Sequence, residues 1–172
     1  MRDPNNADTW YRYDAFGRLT KVIRPGDDDT HPTLVYAYYD DNLEPAVPSM
    51  RGTWRKHDPN ASPWTAGGTW SREFFDGLGR LIEVQTPYQD WNGGGAGQHD
   101  VVRFTTYDNR GLKASESAPY LKDAYVYAQC NGKTCNPYIA PDLNQPKIQY
   151  SYDALGRVLI QTNPDNTQVE HH

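Results

Sequence analysis

The chain has no apolar run near the roughly 18 to 20 residues that a membrane-crossing helix requires. A helical membrane span is therefore not expected. Its opening residues, MRDPNNADTW, lack the apolar stretch of a secretory leader, so the signal of an exported parent would have to lie outside this sequence. Lys and Arg number 17 against 22 Asp and Glu, and they form no cluster. The electrostatic footprint of a nucleic-acid binder, or of a protein drawn to anionic membranes, is missing. Cysteines number two and histidines five. The terminal EHH reads as a histidine-tag remnant, which sets His171 and His172 aside. His31, His57 and His99 stand far apart in Pro-, Gly- or Asp-rich stretches, and no serine sits in a GxSxG context. No catalytic centre is read, and no cofactor or metal is called for.

Aromatic residues are abundant: 13 Tyr and 5 Trp in a chain of 172 residues whose mean hydropathy is only -0.89. Amphipathic rings must then supply much of the buried surface. Gly (14) and Pro (13) are both frequent, which suits short strands joined by turns and interrupts helices. Tyrosines recur at i and i+2: Tyr11 and Tyr13, Tyr36 and Tyr38, Tyr125 and Tyr127, Tyr150 and Tyr152. That spacing puts each pair on one face of a strand.

One seven-residue pattern returns along the chain: YDAFGRL (Tyr13 to Leu19), FDGLGRL (Phe75 to Leu81), YDNRGLK (Tyr107 to Lys113) and YDALGRV (Tyr152 to Val158). Its anchors are Asp14, Asp76, Asp108 and Asp153, with a degenerate fifth at Tyr39-Asp40. Their unequal spacing is read as loop insertions in an array of one repeated unit. In each copy the Asp suits the first place of a type I turn, because its carboxylate accepts backbone N–H groups ahead of it. The glycine at the fourth place (Gly17, Gly79, Gly111, Gly156) takes the left-handed conformation that such a hairpin needs. The apolar third residue (Phe16, Leu78, Leu155) is expected to tuck toward the neighbouring unit. The arginine after the glycine (Arg18, Arg80, Arg157) is read as a strut that crosses a tyrosine ring of the paired strand or pairs with an Asp of the adjoining hairpin. In the third copy that place is Leu112, and Arg110 stands at the third position.

These motifs resemble the YD repeats of Rhs (rearrangement hotspot) proteins, of the B and C components of insecticidal toxin complexes, and of teneurins. The likeness covers roughly residues 10 to 165. It implies a β-sheet strip that spirals into a hollow shell around an effector or toxic domain, in a secreted or cell-surface parent protein. The DPxGL-type self-cleavage motif of that family is not found, since Asp58-Pro59 is followed by Asn60-Ala61-Ser62. No autoproteolytic residue is carried over.

Other candidates are local. Cys130 and Cys135 flank Asn131-Gly132, and four intervening residues let the sulfurs meet across a hairpin; a disulfide and free thiols both remain open. Gly132-Lys133-Thr134 lacks the first glycine of a phosphate-binding loop, because Tyr127 occupies its place. PGDDDTHP (25 to 32) is expected to be a solvated acidic turn, without calcium-site spacing. Trp54, Trp64, Trp70 and Trp91 are candidates for stacking on sugars or on a cell-surface protein, which is the rival to a structural role.

The chain is therefore expected to be an all-β array of antiparallel hairpins forming a curved or spiralling sheet strip. Residues 1–9 are a lead-in, 10–169 the repeat region of about five units with anchors near 14, 40, 76, 108 and 153, and 170–172 the tag remnant. The expected partners are the rest of its own polypeptide and, through sheet edges, other copies of itself.

Overall fold

The computed structural model describes residues 8–39, 48–64, 67–88, 99–123 and 138–171. Among these it is all-β, with twelve strands, no helix, and antiparallel geometry in every pairing whose register is resolved below. The chain divides into two units, Met1–Glu73 and Phe74–His172.

The first unit runs β1 (Trp10–Tyr13), β2 (Leu19–Ile23), β3 (Leu34–Tyr39), β4 (Ser49–Lys56) and most of β5 (Gly68–Phe75), in that order across the sheet. Val35 of β3 lies directly across from Trp54 of β4. These two, with Ala61 and the partly buried Trp70, form the core. Trp54 has no accessible surface, and its indole occupies the space that a side chain at Gly68 would need: a Cβ there would lie 2.3 Å from Trp54 Cε2. The large ring is thus accommodated by the absence of a side chain on the facing strand.

The second unit orders β6 (Leu81–Pro87), β7 (His99–Tyr107), β8 (Lys113–Ser117), β10 (Lys147–Tyr152), β11 (Val158–Thr162) and β12 (Gln168–Glu170). The strand β9 (Tyr120–Asp123) leaves this path and pairs with β7. The chain from Lys113 to Asp123 thus follows one edge of β7, first as β8 and then as β9. The two pieces are separated by Ala118-Pro119, where proline has no N–H for the ladder. Ser117 repairs the gap, its hydroxyl accepting the Phe104 N–H at 3.0 Å. Beyond the gap, Ala118 N–H donates to the carbonyl of Pro146 at 2.7 Å, and Lys147 opposite Ser117 begins the β8–β10 ladder.

Candidate functional site

Each full copy of the repeated motif closes its hairpin with the same bonds. Asp14 N–H donates to the Arg18 carbonyl and Gly17 N–H to the Asp14 carbonyl, both at 3.0 Å, and the pattern recurs at Asp76, Asp108 and Asp153. The turn glycines have φ between +76° and +83°. In the β1–β2, β7–β8 and β10–β11 hairpins, the ladder shifts register at Tyr13, Tyr107 and Tyr152, which are the first residues of their motifs. This is a type I turn followed by a glycine bulge.

The aspartate does more than start the turn. Asp76 Oδ1 accepts Leu78 N–H at 2.9 Å and Arg80 N–H at 3.0 Å, while Oδ2 accepts Arg80 Nε at 2.8 Å. The same three bonds hold Asp14 to Phe16 and Arg18, and Asp153 to Leu155 and Arg157. Partial burial works against the charge of Asp14, Asp76 and Asp108. The backbone and arginine bonds outweigh it, leaving all three pKa values below the ordinary carboxylate range. At Asp153 the backbone bond from Arg157 leads, with the same downward direction.

The arginine fixed in this way meets the next tyrosine. The Arg18 guanidinium carbon lies 4.3 Å from the centroid of the Tyr38 ring, and Tyr38 OH donates to the Leu19 carbonyl at 3.0 Å. Arg80 stands 4.4 Å from the Tyr107 ring, whose hydroxyl donates to the Leu81 carbonyl at 2.8 Å. In the third copy Leu112 cannot play this part, and Arg110 does. It lies 6.0 Å from the Tyr152 ring and donates to the Asp153 carbonyl at 2.8 Å, while Tyr152 OH donates to the Lys113 carbonyl at 2.7 Å. For Arg18 and Arg80 the two alternatives raised by the sequence thus hold together, with one change: the aspartate belongs to its own hairpin; Arg157, its side chain 77% exposed, pairs with Asp153 of its own turn.

Other sequence expectations are corrected. Phe16, Leu78 and Leu155 do not tuck toward a neighbour; they are 84%, 79% and 80% exposed at the turn tips, because Asp Oδ1 draws their N–H groups inward. Near the degenerate anchor, Tyr38 fills the place of the motif tyrosine, and Asp40 lies outside the described residues. Trp54 is sealed in the core and offers no face to a ligand. Trp64 is partly exposed with its ring over Gly52, and Trp70 is covered by the Arg72 guanidinium at 4.1 Å. Trp54, Trp64 and Trp70 are thus not brought into an open series, and Trp91, Cys130, Cys135, Tyr125 and Tyr127 lie outside the described residues.

The acidic turn is also more than solvated. Asp27 forms a partly buried ion pair with Lys56, whose Nζ also donates to the His31 carbonyl at 2.9 Å. Burial opposes the Asp27 charge, but bonds from Lys56 and Thr33 prevail and its pKa is lowered. Asp28 caps the N–H groups of Thr30 and His31, and Asp29 takes both Nε and an Nη of Arg12. Their oxygens serve separate partners, and no metal-holding cluster occurs among the described residues.

Two features escaped the sequence. Asn163 N–H donates to the Thr167 carbonyl and Asn166 N–H to the Asn163 carbonyl, with Asn166 at φ +65°, so Asn-Pro-Asp-Asn-Thr builds the motif hairpin without its Asp or Gly. Asparagine tolerates that conformation, which is the signal that was available. The second is Glu83, a buried carboxylate that no motif marks. No protein-family model matches the chain, and no curated protein matches it in sequence.

Proposed function

We propose that this chain is a structural, non-catalytic segment of a YD-repeat wall. In this reading it is part of a larger secreted or surface protein whose hairpin strip encloses or presents an effector domain. The observation that supports it is the use of the motif's polar groups on one another. Asp14, Arg18 and Tyr38 are mutually satisfied, as are Asp76, Arg80 and Tyr107, so these motif groups are spent on one another. A residue type that recurs at each hairpin and closes it each time is better suited to construction than to chemistry.

The test is limited proteolysis of the full reading frame that carries these residues. The expected result is a resistant body in which residues 10–169 and a further segment survive together, with that segment digested once Asp76→Asn and Arg80→Ala loosen the wall. A further segment equally resistant with and without an intact array would sink the enclosing role. Glycan-array binding abolished by Trp64→Ala would instead favour surface recognition.

A further inference from the structure

The second unit buries Phe74, at the end of β5, and Val102 and Phe104 of β7, and the carboxyl group of Glu83 on β6 lies on the same β6–β7 face as Val102 and Phe104. Glu83 is 1% exposed and lies directly across from Phe104. Its Oε1 accepts Gln85 Nε2 at 2.7 Å and the backbone N–H of Ile139 at 3.4 Å, while Oε2 is buried with no hydrogen-bond partner. A buried carboxylate in this state is held by two neutral donors, a costly arrangement when ionised.

What covers Glu83 is the segment 138–146. Tyr138 packs on Phe74 with ring centroids 5.6 Å apart, Ile139 reaches Glu83 itself, and Asp142 N–H donates to Tyr120 OH at 3.3 Å. One of the contacts that hold this cover ends on the carboxyl. We propose that Glu83 is a proton-operated latch: neutral, it lets residues 138–146 seat over the β6–β7 face, and ionised, it drives them off so that water can reach the charge.

A second carboxyl group, Asp100, is also buried on this face, 3% exposed. Tyr120 and Tyr138 both have raised pKa values, burial being the leading cause, so they stay neutral through the range in question. Asp142 is held below the ordinary range, first by the Gln145 side chain, and stays charged. Asp100 and Lys122 oppose each other two residue pairs further along the same face. By strand alternation Arg103 and the His99–Asp123 pair lie on the other face.

Burial raises the Glu83 pKa to about 7. The covered state therefore binds a proton more tightly than the open one. Its advantage is complete below the ordinary glutamate value near ~4.3 and is lost as pH rises through about 7. Within that window each pH unit shifts the closing equilibrium by up to about tenfold.

Amide hydrogen exchange by mass spectrometry, corrected for the intrinsic pH dependence of exchange, tests the latch. Protection across 138–146 should fall by roughly a hundredfold between pH 5 and pH 7.5, while peptides from β10–β11 change little. Glu83→Gln should keep the segment protected at both pH values. A flat wild-type profile, a loss of protection equal in all peptides, or the wild-type profile persisting in Glu83→Gln would each overturn the proposal. If Glu83→Gln does not fold, the contrast between wild-type peptides decides alone.

Discussion

The guanidinium of Arg80 lies against the face of Tyr107 while the hydroxyl of that same tyrosine caps the carbonyl of Leu81, the residue after the arginine. One ring therefore satisfies a cation and an acceptor on the preceding hairpin. Removing only the hydroxyl, in Tyr107→Phe, should cost about 1 kcal/mol by urea unfolding. A double-mutant cycle with Arg80→Ala and Tyr107→Ala should give a coupling of about 0.5 to 1 kcal/mol. Additive losses would show that the stacked geometry contributes nothing.

The turn glycine and the turn tip should respond in opposite ways. Gly79→Val or Gly156→Val forces a β-branched residue to positive φ and is expected to cost about 1 to 3 kcal/mol. Phe16→Ser, at an exposed tip, should stay within about 0.5 kcal/mol of the parent protein in the same thermal melt.

The core of the first unit depends on a missing methyl group. Gly68→Ala drives a Cβ into the Trp54 indole and should destabilise by about 1 to 3 kcal/mol, with red-shifted tryptophan emission as the ring is displaced. Unchanged emission and stability would mean that the strand carrying Gly68 moves aside freely.

Lys56 and Asp27 form a pair that should punish half-removal. Lys56→Met leaves the partly buried Asp27 carboxylate without its cation and is expected to cost about 1 to 3 kcal/mol, much of it recovered by adding Asp27→Leu. Chemical denaturation of the two variants measures the difference.

Acid should weaken the hairpins together. Asp14, Asp76, Asp108 and Asp153 have folded pKa values below their unfolded ones, so their stabilisation is full above the unfolded value near ~3.9 and disappears as pH falls through the lowered values. Circular dichroism against pH should show a cooperative loss of strand signal below about pH 4. Asp76→Asn should flatten that transition, and an unchanged curve would contradict the linkage.

The strands and hairpins were legible in the sequence because their signals are short-range. Asp and Gly three residues apart define a turn, and alternation of tyrosines defines a strand face. Contacts made by the ends of long side chains were not legible. Nothing in GLGRL says that its arginine will meet Tyr107 rather than an aspartate of another hairpin, since that depends on strand register. Glu83 was hidden for a similar reason: LIEVQT reads as an alternating strand, and only the cover laid on by residues far along the chain turns its glutamate into a buried acid. Asp27 looked like one of three solvated charges until Lys56, on another strand, was brought beside it.

The joint between Arg80 and Tyr107 behaves as a socket and plug. The socket, an arginine and a carbonyl, is completed within one hairpin, and the plug is a single tyrosine of a neighbouring strand. The joint is made by Asp76, Arg80, Leu81 and Tyr107, while Glu83 and Phe104 of the same two strands serve the buried face. The same joint recurs at Arg18 with Tyr38 and at Arg110 with Tyr152, so the seam is one device used at successive hairpins. Arg110, which serves from a different place in its turn, shows that even the socket can be rebuilt without changing the plug.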